Sequence, residues 1–108
     1  MRMEQWLIIG GAACFISGCF APEPPDIHSQ NAPQLVPAIE IAVQHHDQSA
    51  VPFLVDDLSS QDAAVRIYAI DGLRRLTGKD FGYRAYDDEE TRRPAVHRWQ
   101  AWEATHKS

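Results

Sequence analysis

Positive charge is scarce in this chain. Its 108 residues hold 10 Lys and Arg against 15 Asp and Glu, a net charge of −5 with histidine neutral. The basic residues form no stripe of the kind that meets a phosphate backbone, which excludes a nucleic-acid surface. Long apolar runs are missing as well: the leading one, Trp6 to Ile16, has 11 residues, far short of the roughly 18 to 20 needed to span a bilayer. Cysteine occurs only twice, at Cys14 and Cys19, both near the start. Catalytic signatures are absent too. There is no G-x-S-x-G, no S-x-x-K and no phosphate-binding glycine loop, since Gly10-Gly11 lies inside the apolar run. His97 and His106 belong to no HxxxH or HExxH set. What remains is 44% hydrophobic with three Trp, too apolar to be wholly disordered.

The first segment reads as an export signal. Arg2 and the free amino terminus precede the short apolar run, the layout of a signal-peptide core. The run ends in Ile16-Ser17-Gly18-Cys19, which resembles the lipobox of bacterial lipoproteins. That resemblance implies cleavage before Cys19 and a diacylglycerol on its thiol, so that Cys19 becomes the first residue of the mature chain. Ile16 stands where the family most often has Leu, and Glu4 dilutes the basic leader. Cys14 fits less well, because Gly11 would take the apolar position. An uncleaved anchor helix over residues 1–19 is the competing reading. With the signal removed, Cys14 is lost and Cys19 carries lipid, which leaves the folded part without a thiol. Disulfides, cysteine zinc sites and cysteine nucleophiles are then excluded. The expected address is a bacterial membrane, with the protein lipid-anchored and facing the periplasm or exterior.

Residues 19–34 follow as a lipidated, proline-rich tether with Pro22, Pro24, Pro25 and Pro33, four of the chain's seven prolines. In polyproline II form, at about 3.1 Å per residue, it would hold the domain about 40 Å from the membrane. From Leu35 the periodicity turns helical. Leu35, Ile39, Ala42 and Val43 share one face, and Pro37 fits only a first turn, which places the start near Leu35 or Val36. A second helix carries Val51, Leu54, Val55 and Leu58, with Pro52 in its first turn and Ser59-Ser60 at its end. In the third, Asp62 is the N-cap, Val65, Ala69, Leu73 and Leu76 form the stripe, and Gly78 is the stop. Ile67 and Ile70 widen that stripe, as in a helix packed between neighbours. The fourth helix, from about Glu90 to Thr105, faces inward with Ala95, Val96, Trp99 and Trp102 and outward with Arg92, Arg93, Arg98 and Gln100. No strand pattern competes, so residues 35–106 are expected to form an all-α domain of about four helices.

Pro52, Leu54, Leu58, Asp62, Val65, Arg66, Ala69 and Leu73 together resemble a HEAT repeat. In that family a Pro opens the first helix of an antiparallel pair, an Asp caps the second, and a Val-Arg pair follows three residues later. Ser60, Gln61 and Ala63 depart from the usual turn. The tail from Leu76-Thr77-Gly78 through Phe81-Gly82-Tyr83 to Trp99 and Trp102 resembles the C-terminal cap of small bacterial HEAT-repeat lipoproteins. The resemblance implies a short α-α superhelix in which Pro52, Asp62, Val65, Arg66, Trp99 and Trp102 are structural. A lone helix pair leaves apolar faces bare at both ends, so the first and last helices are needed as covers.

Each chemical signal has a plainer explanation beside it. His45-His46-Asp47 lacks a third ligand at helical spacing, and HEAT-like metal hydroxylases depend on His-Glu dipeptides, which this chain lacks. Asp87 to Glu90 lacks the alternating spacing of a calcium loop and suits the positive end of a helix. Arg66 is expected to pair with Asp62, Asp71 or another helix. Phe81, Tyr83, Tyr86, Trp99 and Trp102 read as a core cap, or else as a platform for cell-wall carbohydrate. No catalytic residue, metal or cofactor is expected. The reading is therefore a scaffold that binds an unidentified envelope protein, with a carbohydrate-binding module or a purely structural envelope subunit as alternatives. Glu40, Gln44, Arg74 and Arg75, on the polar sides of the first and third helices, are the candidate contacts. Their mixed charge suits a protein better than a membrane or nucleic acid.

Replacing Cys19 with Ser should abolish incorporation of labelled fatty acid and block cleavage. Labelling that persists in the variant would place the lipid elsewhere.

Overall fold

The computed structural model describes residues 24–106. Residues 1–18 and Cys19 lie outside the described residues. Among the described residues four helices run in order, α1 (Ala32–Gln44), α2 (Val51–Asp57), α3 (Ala63–Thr77) and α4 (Glu89–Thr105), with a 3₁₀ turn at Gln48–Ala50 before α2. No strand occurs among the described residues, and none of their helices is long and apolar enough to cross a membrane.

The helix ends follow local chemistry. Asp47 caps the 3₁₀ turn through Ser49 N–H, and Asp62 caps α3 through Ala64 N–H. Asp88 caps α4 through Thr91 N–H, with Glu89 and Glu90 in the first turn, where the helix dipole favours acids. Gly78 closes α3 at φ +76°, a left-handed position that an L side chain resists. The start of α1 differs from the periodicity. It opens at Ala32, with Pro33 in the first turn and Pro37 inside the helix. Pro37 removes the hydrogen bond to the Pro33 carbonyl, and its ring crowds that oxygen, which lies in the first turn of the helix.

The packed chain also begins earlier than Leu35. Asp26 N–H donates to the Gln34 carbonyl at 3.1 Å, Ile27 packs against the core, and the His28 ring meets Phe53 edge-on at 4.4 Å. The last part of the proline-rich stretch is thus a strap lying on the helices rather than an extended spacer.

Helix α3 is the centre, packed between α1 and α2, while α4 packs on α2. Leu35, Ile39, Leu54, Leu58, Val65, Ala69, Leu73, Leu76 and Trp99 are buried. Trp102 departs from the expected core. It is only partly buried, set edge-on to Trp99 at 5.7 Å and stacked on His106 at 4.3 Å. Its indole N–H is enclosed without a partner.

The three inner helices meet at Gly72. A Cβ there would lie 2.8 Å from Ile39 Cγ2 on α1 and 3.1 Å from Leu54 Cδ1 on α2. Ile39 Cγ2 sits on a stiff, β-branched side chain, so relief requires moving a helix. Gly72→Ala gains about 1 kcal/mol of helix propensity against about 1–3 kcal/mol of overpacking. The expected outcome in a thermal melt is a net loss of about 1 kcal/mol, a fall of roughly 4–8 °C. A rise in the midpoint would mean that α1 and α2 do not close on α3 there.

Candidate functional site

Of the four expected contact residues, three are engaged within the molecule. Arg75 Nε lies 3.2 Å from Asp71 and its Nη1 4.0 Å from Glu40, joining α3 to α1, while Arg74 Nε lies 3.6 Å from Asp80 beyond the end of α3. These pairs are half-exposed and contribute at most about 1 kcal/mol each. Gln44 is exposed at the end of α1.

The more ordered constellation surrounds the loop between α3 and α4, residues 79–88. Side chains hold four of its carbonyls, those of Asp80, Phe81, Ala85 and Asp87. Trp99 Nε1 donates to Asp80 O at 3.1 Å, and Arg98 Nε and Nη2 donate to Phe81 O at 3.0 and 2.8 Å. Arg66 Nε donates to Ala85 O at 3.2 Å, and Arg92 Nε to Asp87 O at 2.9 Å. The same two arginines reach the other way. Arg66 Nη1 donates to Ser60 O at 2.8 Å, and Arg92 Nη1 to Leu58 O at 3.4 Å, an oxygen that also accepts from Tyr83 Oη at 2.7 Å.

Two expectations change as a result. Arg66 pairs with backbone carbonyls rather than with Asp62 or Asp71, and Arg92 is buried, 9% exposed, rather than outward. Burial also pushes the Tyr83 hydroxyl up from its ordinary value.

The aromatic residues do not share a surface. Tyr83 and Trp99 are buried and Phe81 packs partly into the core. Tyr86 alone is far out, 85% exposed, and Tyr68 on α3 is 39% exposed. Between these two tyrosines the loop and the outer side of α3 enclose an open groove of about 680 Å³. Ile70, Tyr83 and Ala85 form its buried floor, and Asp71, Arg74, Asp80 and Arg84 bring charge to its walls.

One acid is buried. Asp57, the last residue of α2, is 2% exposed. Its Oδ1 accepts from Gln30 Nε2 of the strap at 3.1 Å, and its Oδ2 is enclosed without a partner. Desolvation pushes its carboxyl from 3.8 up to about 6, opposed by the Gln30 hydrogen bond and aided by neighbouring Asp56. Among the described residues no three His, Cys, Asp or Glu side chains converge as metal ligands would.

No protein-family model, no curated protein and no solved structure matches this chain.

Asp57 makes stability depend on pH in a definite direction. With a folded-state pKa near 6 against 3.8, the native carboxyl keeps a proton that the unfolded chain has released. Stability therefore falls as pH rises through about 4 to 6 and stays lower above that. Asp57→Asn, which can still accept from Gln30, should gain about 2–3 kcal/mol over the parent at pH 7.5 and little at pH 4, read by urea unfolding at both. An equal effect at the two pH values would show that the carboxyl is not desolvated.

Proposed function

We propose that this protein is a lipid-anchored, HEAT-like helical module that binds another protein of the cell envelope. The address rests on the short apolar leader and the Ile16-Ser17-Gly18-Cys19 sequence. The HEAT-like reading is supported by the α2–α3 pair: Pro52 opens α2, Asp62 caps α3, Val65 enters the core, and Arg66 binds the Ser60 carbonyl at the turn.

One observation carries the binding role. Tyr86 stands 85% exposed on a loop whose carbonyls are held by Arg66, Arg92, Arg98 and Trp99. A large amphipathic ring on a stiff support loses little entropy when a partner covers it, and tyrosine and arginine are the residue types that dominate protein interfaces. Tyr68 and the mixed charges across the groove extend that surface to α3.

A photo-crosslinking residue placed at Tyr86 in living cells should give a discrete protein adduct in the envelope fraction. The same residue at Gln100, exposed on α4, should not. Identical adducts from both positions, or none from Tyr86, would contradict the reading.

A further inference from the structure

The charge pattern of the groove specifies its occupant more closely. This inference rests on the reading that the protein binds another protein. Three of the charged groups at the groove are paired where they stand, Arg74 with Asp80 and Asp71 with Arg75. Arg84 is different: it lines the groove, is exposed, and its side chain has neither an ion pair nor a hydrogen bond among the described residues. Arg66, whose Nε donates to the Ala85 carbonyl behind the same wall, also has no carboxylate partner. Arg84 is therefore the charge lining the groove that no ion pair among the described residues offsets. The hydroxyls of Tyr68 and Tyr86 are likewise unbonded among the described residues, and the floor between them is apolar at Ile70 and Ala85.

We infer that this groove takes an extended segment of the partner protein that presents one carboxylate side chain beside an apolar one. Arg84 receives the carboxylate, the apolar side chain rests on Ile70 and Ala85, and Tyr68 and Tyr86 flank the segment. One carboxylate fits and a polyanion does not, because Asp87, Asp88, Glu89 and Glu90 follow directly on Tyr86 and repel a run of negative charge. A neutral saccharide would find the tyrosines but would leave Arg84 uncompensated.

The test uses the isotope-labelled full chain and three probes: the peptide N-acetyl-Ala-Leu-Glu-Leu-Ala-amide, its Gln counterpart, and chitotetraose, each titrated to about 10 mM, the range of weak single-site contacts. The Glu peptide should shift the amides of Tyr68, Arg84 and Tyr86 and bind roughly two- to fivefold more tightly than the Gln peptide, as expected for an accessible ion pair. Arg84→Gln should erase that difference while leaving the melting midpoint unchanged. Equal binding of the two peptides, tighter binding of chitotetraose, or no shift in the groove would overturn the proposal. Such a failure is separate from failure of the binding role itself, because a specific adduct from position 86 in cells would still stand.

Discussion

The carbonyl end of α2 is the point on which the rest of the structure depends. The carbonyls of Val55, Asp56 and Asp57 accept from the N–H groups of Leu58, Ser59 and Ser60, which leaves the carbonyls just past the helix to find partners in the loop between α3 and α4. Leu58 O accepts from both Tyr83 and Arg92, and Ser60 O accepts from Arg66. Leaving such oxygens bare would cost about 1–3 kcal/mol each. Because Arg66 and Arg92 each use a second nitrogen on the loop at Ala85 and Asp87, closing the helix end and shaping the loop are one event. A guanidinium can bridge the two because it offers five donors in a rigid fork and stays charged.

The same arrangement has electrostatic consequences. Arg66 and Arg92 are spent on carbonyls and not on carboxylates, beside a loop whose own charges, Lys79 and Arg84 against Asp80, Asp87 and Asp88, lean acidic like the rest of the chain. The acids are placed where they relieve local needs. Asp88 accepts from Thr91 and Asp47 from Ser49, and both are held below the ordinary carboxylate value by those hydrogen bonds. Asp57 runs against this pattern, a desolvated carboxyl at the negative end of α2. Its one partner, Gln30, belongs to the strap, so the acid that weakens the core also marks where the leading segment is fastened.

Much of the fold was legible in the sequence, and the exceptions have physical causes. The stripes of Val51, Leu54, Val55 and Leu58 and of Val65, Ala69, Leu73 and Leu76 lie in the core because helical period and burial agree there. Arg92 and Asp57 were legible by spacing and hidden by chemistry. Arg92 precedes Ala95, Val96 and Trp99 by three, four and seven residues, and Asp57 follows Leu54 by three, yet a charged residue reads as outward unless its partner is known. Those partners are the carbonyls of Asp87 and of distant Leu58 for Arg92, and a strap glutamine 27 positions away for Asp57. Trp102 continues its stripe past the point where α2, only seven residues long, can cover it. Gly72 was a visible signal, a glycine in mid-helix, whose meaning depends on Ile39 and Leu54 arriving from other helices. In the candidate site, Arg74 and Arg75 lie at the surface as the amphipathic pattern required, but the groove beside them is made by a loop whose path no periodicity encodes.

Side chains hold carbonyls of the loop, and Phe81, at φ 54°, is kept in a conformation few non-glycine residues adopt, so the loop should be as rigid as the helices it joins. Backbone ¹⁵N relaxation measures this directly. Order parameters for Phe81 to Asp87 should lie near 0.85, equal to those of α3 and α4. Values below about 0.6 across the same residues would contradict it, since a loop that moves on that scale cannot hold Tyr86 and Arg84 in place.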